Sequence, residues 1–404
     1  MNVEYKEKVL SWVLAIVVII STLAISHGDT TLAPAGITKM IPLLNYMLFG
    51  AMLFLINWRQ PLSFKLFLKV MLALAWFMFT NFNVATGTTS SGMLAFLLML
   101  SFAFCEDSVL LKAISYFRKY MVFISCVGII ACLDFFVIHL LPHTIVPYYS
   151  GTEHAWYVNY WLSYILWSDN ATFRLCGLFN EPGIYGTAIA MLLIMDRFNF
   201  KRKTNIILFV AACLTFSMAC FALLIVGGML YAIKNVKYML AAITVVVAAM
   251  VILPQIEDKN VQHLVSRFEF NSSTGKMKGD NRRSSDFQTI EQRFGESDHK
   301  LLGMGTGYLK QQSISDYSSY KTVIIEWGYL GFALTALLFW FSSLLTTKGD
   351  KDALIFWFCA ALTIYSRNTV YTVFELFLMY GGILYVLENY IKKNSNETEF
   401  NVDN

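Results

Sequence analysis

The sequence predicts an all-α integral membrane protein with about twelve transmembrane helices, and three observations support this prediction. First, 57% of the 404 residues are hydrophobic and only 14% are charged, whereas a soluble domain has about 25% charged residues. Second, the mean hydropathy is +0.55. Third, apolar runs of about 17–25 residues, the length that crosses a bilayer, recur along the chain. We therefore expect residues 1–404 to form a single polytopic membrane domain.

The apolar runs give the positions of the membrane segments. They lie at residues 9–25, 37–56, 66–82, 92–105, 120–141, 175–195, 205–216, 218–233, 238–253, 321–345, 353–368 and 370–387. The first follows a charged N-terminus with no evident cleavage site, so we interpret it as a spanning helix and not as a signal peptide. The segment 205–233 is too long for one membrane span and too short for two full ones. We expect two short or re-entrant helices there, with a break near Thr215, Phe216 and Ser217.

Basic residues indicate the orientation, because short cytoplasmic loops are enriched in lysine and arginine. The basic clusters lie at residues 59–69, 112–119, 197–203, 348–351 and 392–393. The short loops 26–36 and 83–91, which fall on the opposite side, contain neither residue type. This alternation predicts that both termini lie in the cytoplasm.

Two longer segments are expected on the outer side of the membrane. Residues 142–173 are aromatic and nearly uncharged, so we predict an outer loop that lies in the membrane interface. Residues 254–320 are polar, with nine Lys or Arg residues balanced by nine Asp or Glu residues. This second loop is too long for the positive-inside rule to apply to it, and we predict that it is a large extracytoplasmic loop.

The chain shows no sign of a metal site or of a disulfide framework. All seven cysteines lie in or beside apolar runs, none at the spacing of a zinc site, and the six histidines are scattered. We therefore expect no metal and no cofactor. No nucleic-acid partner is expected either.

The stretch RLCGLFNEPGIYG, residues 174–186, brings an arginine and a glutamate to the edge of an apolar span. Ionisable groups at membrane depth cost about 2.5–3.5 kcal/mol and usually face a cavity or a partner. An interfacial anchor would explain Arg174 alone. However, the Pro182-Gly183 pair disfavours regular helix after Glu181, and irregular backbone at this depth is tolerated only against protein or a water-filled cavity. We therefore predict that this segment lines a cavity.

The large outer loop carries a second group of candidate residues. Arg282, Arg283 and Arg293 are candidates for binding phosphate, because a guanidinium group matches phosphate oxygens with two parallel hydrogen bonds. In LLGMGTGY, Gly303 and Gly305 would allow backbone N–H groups to approach an anion, although the pattern is neither a P-loop nor a Rossmann motif. A solvated charged loop would explain the same residues without a ligand.

A third stretch, SDYSSYKTVIIEWGYLGF, leads from the outer loop into a predicted span. It places Asp316 and Tyr317 at the outer end of a helix that carries Glu326 deeper in. Glu326 is either catalytic or a structural partner for Arg367 or Arg174.

Together these stretches resemble the O-antigen polymerase (Wzy) family of the O-antigen ligase superfamily. The family shows an arginine followed by G-x-F-x-E/N-P and a small residue, as in RLCGLFNEPGIYG. Its large periplasmic loop has spaced arginines and ends in a G-x-G element like LLGMGTG. A helix with the pattern E-x-G-x-x-G follows, as in EWGYLG. The motif-specific part of the likeness runs from residue 174 to about residue 331.

The resemblance implies a GT-C-like membrane glycosyltransferase of the bacterial cytoplasmic (inner) membrane. It would polymerise O-antigen, capsule or exopolysaccharide by transferring an undecaprenyl-pyrophosphate-linked glycan onto a lipid-linked oligosaccharide repeat unit. Membrane lipid would surround it, and a chain-length regulator would be a further partner. Arg174 and one of the loop arginines would hold the pyrophosphate, and Glu181 or Asp316 would orient or deprotonate the acceptor hydroxyl.

The sequence leaves two other functions open. A ligase of the same superfamily would move the finished glycan to lipid A core or to a protein. Ligase members often carry a histidine about nine residues before the helix glutamate, where this chain has Tyr317, which we place among the substrate-binding residues. A transporter or flippase for lipid-linked oligosaccharides would have repeated halves with broken helices in matching positions. The predicted break after Glu181 has no obvious counterpart in the sequence.

Overall fold

The computed structural model of the chain is mostly helical. It describes residues 3–23, 64–82, 105–150, 153–168, 172–233, 255–271, 276–277, 285–312, 320–365 and 373–400, and residues 47, 50 and 244. The helices are α1 Val3–Thr22, α2 Phe64–Phe82, α3 Asp107–Leu133, α4 Pro182–Met195, α5 Lys203–Leu214, α6 Met218–Ala232, α7 Lys259–Phe268, α8 Ser285–Glu296, α9 Tyr308–Gln311, α10 Lys321–Thr335, α11 Ser342–Thr346, α12 Lys351–Tyr365 and α13 Val373–Phe400. A π-helical turn, Asp134–Ile138, extends α3, and another, Ala336–Phe341, joins α10 to α11.

The prediction of an all-α fold is wrong for the outer loop at residues 142–173 and the residues that follow it. They form an antiparallel sheet in the order β1-β2-β3-β4. The strands are β1 Thr144–Ser150, β2 Glu153–Asn159, β3 Tyr164–Ser168 and β4 Phe173–Gly177. The register runs across the sheet from Val146 to Tyr157, Leu166 and Arg174. The uncharged, aromatic composition that predicts an interfacial loop also favours strands, because aromatic and β-branched side chains pack well on a pleated surface.

Two helices among the described residues are long and apolar enough to cross a bilayer by length and composition, at Asp107–Ile138 and Lys321–Thr346. Shorter apolar helices lie at Leu66–Asn81, Pro182–Met195, Lys203–Leu214 and Met218–Ala232. The predicted spans 37–56, 92–105 and 238–253 lie almost entirely outside the described residues. The predicted number of spans therefore stays a prediction.

Several helix ends differ from the predicted ones. The helix predicted at 120–141 begins at Asp107, so its basic residues lie on the helix and not before it. The span predicted at 175–195 is divided between β4 and α4, which begins only at Pro182. The predicted break between two short helices is confirmed, because α5 ends at Leu214 and α6 begins at Met218. The last helix continues to Phe400, beyond the predicted end at 387.

The chain divides into two compact units. The first consists of Met1–Ser21, Met40–Ile114 and Arg282–Asn404, and the second of Thr22–Lys39 and Ser115–Asn281. In the first unit, α2 packs against α10: the Trp76 indole Nε1 donates to the Thr335 hydroxyl at 3.1 Å. The Trp76 ring also meets the edge of Trp327, with 5.4 Å between the ring centroids.

An ion-pair network around the buried Asp196 carboxylate joins three helices of the second unit. Asp196, at the end of α4, lies 2.6 Å from Arg118 of α3 and 2.9 Å from Arg202 at the start of α5. Arg118 also donates to the Asn205 side-chain oxygen at 2.8 Å. The sequence predicts that Arg118 and Arg202 lie on the cytoplasmic side, and the network brings them to the same carboxylate.

Two small two-residue strands complete the second unit. β5 Phe270–Asn271 pairs with β6 Lys276–Met277 in antiparallel register. They lie within the predicted large loop, which therefore contains strands as well as the helices α7, α8 and α9.

Candidate functional site

Arg174 lies on β4, opposite Leu166 of β3, and is half-buried. Its Nε donates to the backbone carbonyl of Thr215 at 3.3 Å. Thr215 is the C-cap residue of α5, directly after Leu214. A cation is favourable at this position, because the unpaired carbonyl groups of a helix C-terminus carry partial negative charge. Arg174 therefore has a structural contact with the turn between α5 and α6 in addition to the role that the sequence predicts.

The residue before Arg174 connects the sheet to the predicted large loop. The N–H group of Phe173 donates to the Asn260 side-chain oxygen at 2.6 Å, and Asn260 is buried. Asp258 caps the same helix, α7, by accepting from the N–H groups of Asn260 and Val261. Sequence reasoning missed Asn260, and the available signal was the helix-start pattern D-K-N at residues 258–260.

Glu181 is the N-cap residue of α4 and has an extended backbone, with φ −136° and ψ 139°. Pro182 occupies the first helical position, where its fixed φ suits a helix and its missing N–H costs nothing. The predicted break within a span is therefore wrong, since the Pro182-Gly183 pair starts a helix. Next to Glu181, the Asn180 carbonyl accepts a hydrogen bond of 2.5 Å from the Tyr157 hydroxyl of β2.

Two glycines of RLCGLFNEPGIYG allow close packing. Gly177 has φ +58°, and a Cβ there would lie 3.0 Å from the Tyr185 ring. A Cβ on Gly186 would lie 2.9 Å from the Cys220 Cβ and from the Thr215 hydroxyl oxygen. The described residues around these two glycines are closely packed, and the cavity lining at Arg174 and Glu181 stays a prediction. Arg174 and Glu181 are half-buried.

In the first unit, the LLGMGTG loop crosses α10 at EWGYLG. The Gly305 N–H donates to the Glu326 carbonyl at 2.9 Å, and the Leu330 N–H donates to the Leu301 carbonyl at 3.1 Å. α10 is interrupted at the crossing, because Gly328 has φ +67° and ψ −177°. Two stretches that the sequence identifies separately as candidate site elements are thus joined by backbone hydrogen bonds.

The glycines of the loop have a structural role in this crossing. A Cβ on Gly303 would lie 2.3 Å from the Glu326 carbonyl oxygen. The Gly303 N–H donates to the His299 carbonyl at 2.6 Å, and the Gly305 N–H donates to the Glu326 carbonyl. Both N–H groups that the sequence assigns to a substrate anion therefore donate to carbonyl groups of the protein.

The Glu326 carboxylate accepts hydrogen bonds from the same loop. Its Oε1 accepts from the Leu309 N–H at 3.3 Å, and it also accepts from the Gly307 N–H. These partners lie at the start of α9. Of the two predicted roles, catalytic or structural, the geometry favours the structural one, because backbone N–H groups bind the carboxylate. Arg367, one of the two predicted partners, lies outside the described residues.

A hydrogen-bond chain ties the crossing to α2. The Trp327 indole Nε1 donates to the Thr306 hydroxyl oxygen at 2.9 Å. The Thr306 hydroxyl donates in turn to the Thr80 carbonyl at 2.6 Å. The crossing is therefore fixed from both sides, by α2 and by its own backbone hydrogen bonds.

Arg293 lies exposed in the last turn of α8. The opposite face of α8 is apolar and packs into a core cluster made of Phe287, Ile290, Phe294, Leu309 and Ile325. Arg293 is thus held on a folded helix and is accessible to a ligand. The remaining loop candidates, Arg282, Arg283, Asp316 and Tyr317, lie outside the described residues.

The described candidates fall into two groups. Arg174 and Glu181 belong to the second unit, near the turn between α5 and α6. Arg293, Gly303 and Gly305 belong to the first unit. Within the part of the chain that the structure describes, no three His, Cys, Asp or Glu side chains are placed to hold a metal ion.

Comparison with known proteins adds no assignment. No family model and no curated protein matches the chain.

Proposed function

We propose that this chain is a polysaccharide polymerase, a metal-independent membrane glycosyltransferase that extends glycans carried on undecaprenyl pyrophosphate. The observation that carries the proposal is the crossing of LLGMGTG with EWGYLG. These two stretches are the later motifs of the resemblance, and Gly303 and Gly328 allow their backbones to meet. Motif residues that recur only by chance have no reason to fit together in this way.

The proposal includes a chain of about twelve spans with both termini in the cytoplasm. The contact between Phe173 and Asn260 supports it, because this contact brings the two predicted outer loops together. The network of Arg118, Asp196 and Arg202 supports it in the same way for residues predicted to be cytoplasmic. Both contacts lie within the second unit.

The reaction exchanges one bond to the donor sugar for another. The bond from its anomeric carbon to the pyrophosphate oxygen breaks, and the acceptor hydroxyl oxygen forms the new glycosidic bond to that carbon. The hydroxyl proton passes to Glu181 or Asp316, and undecaprenyl pyrophosphate leaves. Arg174 would stabilise the charge that develops on the leaving group, and the loop arginines remain candidates for binding phosphate.

The test is to reconstitute the full-length protein in lipid vesicles with a lipid-linked oligosaccharide repeat unit. A polymerase produces a ladder of glycans whose members differ by one repeat, and the ladder persists in EDTA. Loss of the ladder in EDTA, restored by magnesium or manganese, would contradict the metal-independent mechanism.

Two other outcomes would replace the proposed function. Transfer of the glycan only to an added lipid A core or protein acceptor would identify a ligase. Movement of a labelled lipid-linked oligosaccharide across the bilayer without any new glycosidic bond would identify a flippase.

A further inference from the structure

Exposed apolar side chains form a strip from the end of α3 to the turn between β2 and β3. Its members are Val137, Leu140, Leu141, Ile145, Trp161 and Leu162. The strip follows an exposed apolar face of α3, because Phe123 and Ile130 are seven residues apart on one side of this helix, and Val137 is exposed in the π-helical turn that extends it. α3 belongs to one of the two segments that are long and apolar enough to cross a bilayer.

The turn between β2 and β3 lies beside the end of α3. The Tyr160 hydroxyl donates to the Asp134 carboxylate at 3.0 Å, and Asp134 also accepts from the N–H groups of Leu140 and Leu141. The Tyr160 ring lies near the His143 ring, with 5.1 Å between centroids. Through the shared Asp134 carboxylate, these contacts tie Tyr160, the residue before Trp161, to the segment that carries the exposed leucines.

Trp161 has an unusual backbone. Its φ is +68°, in the left-handed region that bulky residues rarely occupy. Its N–H donates to the Asn159 side-chain oxygen at 2.7 Å, which holds the turn in this form. The side chain is nevertheless 74% exposed, so packing within the protein does not explain a tryptophan here. Strained positions of this kind are concentrated at functional sites.

We propose that Trp161, Leu162 and the exposed leucines anchor the sheet in the outer leaflet of the membrane, at the boundary between lipid headgroups and acyl chains. Tryptophan is enriched at this boundary because its ring is apolar and its indole N–H is polar. Charge also favours lipid over a protein partner. Between Phe135 and Ser168 the only Asp, Glu, Lys or Arg is Glu153, whereas a protein interface has a polar rim.

The anchor sets the position of the candidate site relative to the lipid. β3 begins three residues after Trp161, at Tyr164, and its Leu166 pairs with Arg174. Arg174 therefore lies opposite a point two residues along β3, about 7 Å from its start. If the proposed function is correct, the anchor holds Arg174 at the depth of a lipid pyrophosphate, so this part of the inference rests on the proposed function.

The experiment is photo-crosslinking in the full-length protein, reconstituted in vesicles of phosphatidylethanolamine and phosphatidylglycerol. p-Benzoylphenylalanine replaces Trp161 in one variant and Phe123, on the exposed face of α3, in a second. A third variant carries it at Gln288, an exposed position on α8. After irradiation, mass spectrometry detects phospholipid bound to the labelled peptide. We expect lipid adducts at positions 161 and 123, and none at 288.

Each contrary result has a distinct meaning. Adducts at position 123 without adducts at 161 would overturn the anchor and leave the membrane assignment in place. Absence of adducts at both positions would overturn the anchor and the membrane part of the proposed function together. Crosslinks from position 161 to protein in place of lipid would also overturn the anchor.

Discussion

The backbones of Gly303 and Gly328 meet without room for a side chain on either residue. A Cβ on Gly303 would lie 2.4 Å from the Gly328 nitrogen, and a Cβ on Gly328 would lie 2.5 Å from the Gly303 nitrogen. Both glycines also have positive φ, +82° and +67°, where other residues are strained. One pair of residues therefore determines whether the loop can cross α10.

Replacement of either glycine should prevent the crossing. We expect Gly303→Ala and Gly328→Ala each to lower the free energy of unfolding by more than about 2 kcal/mol, because backbone atoms must move apart. Melting of the solubilised full-length protein measures this effect. Gly295→Ala is the matched control, since a Cβ there has open space and alanine favours helix. Equal melting temperatures for Gly328→Ala and Gly295→Ala would contradict the crossing.

The sequence predicts local breaks better than long-range contacts. The break at residues 215–217 could be predicted from span length and charge, and Ser217 caps α6 by accepting from the Cys220 N–H. Pro182 was ambiguous, because proline suits both a kink and the first position of a helix. The sheet was missed because both the aromatic and the apolar residues of its strands suit a lipid interface as well. The helix start at residues 258–260 has a local signal, but the contact of Asn260 with Phe173 has none, since the two residues are far apart in the chain.

The second prediction concerns topology. Reporter fusions after residues 60, 200 and 350 should read cytoplasmic, and fusions after 160 and 280 should read extracytoplasmic. The physical reason is the asymmetry of lysine and arginine between the short loops. Opposite signals at 160 and 280 would be incompatible with the hydrogen bond between Phe173 and Asn260. A cytoplasmic signal at 280 would also place the loop arginines on the wrong side for the proposed donor.

The third prediction is a pH dependence at Glu7. Its carboxylate accepts hydrogen bonds from Lys112 and Ser108, both 2.5 Å long, and these lower the pKa of Glu7 below its ordinary value of 4.5. The stabilisation is therefore complete above pH 4.5 and is lost as the pH falls through the lowered pKa. We expect Glu7→Gln to melt below the wild type at pH 7, with the difference narrowing below pH 4.5.

The control for Glu7 is Glu257→Gln, which removes one negative charge at an exposed position. A difference between Glu7→Gln and the wild type that stays constant from pH 7 down to pH 3 would show that the carboxylate charge does not stabilise the fold. Melting of the full-length protein across this range is the measurement.

The fourth prediction separates the two roles of Arg174. Arg174→Lys keeps the charge but loses the planar guanidinium group, so it should reduce polymer yield nearly as much as Arg174→Ala, by about 100-fold or more. Loss of the hydrogen bond to Thr215 should cost only about 1 kcal/mol, so the amount of protein in the membrane should remain near normal. Lys310→Ala, at an exposed position, is the control. Full-length polymer from Arg174→Ala at normal protein level would remove Arg174 from the site.

The last prediction concerns Glu181 at the start of α4. A carboxylate at a helix N-terminus contributes about 0.3–1 kcal/mol, so Glu181→Gln should leave the protein folded and present in the membrane. Glutamine keeps the size of the side chain but cannot accept a proton at neutral pH. If Glu181 is the base, polymer should disappear from Glu181→Gln, while Asp316→Asn, the variant of the competing acid, should still produce a ladder. A polysaccharide gel with the protein quantified alongside measures both. A ladder from Glu181→Gln together with none from Asp316→Asn would assign the proton to Asp316 and leave Glu181 as the residue that begins the helix.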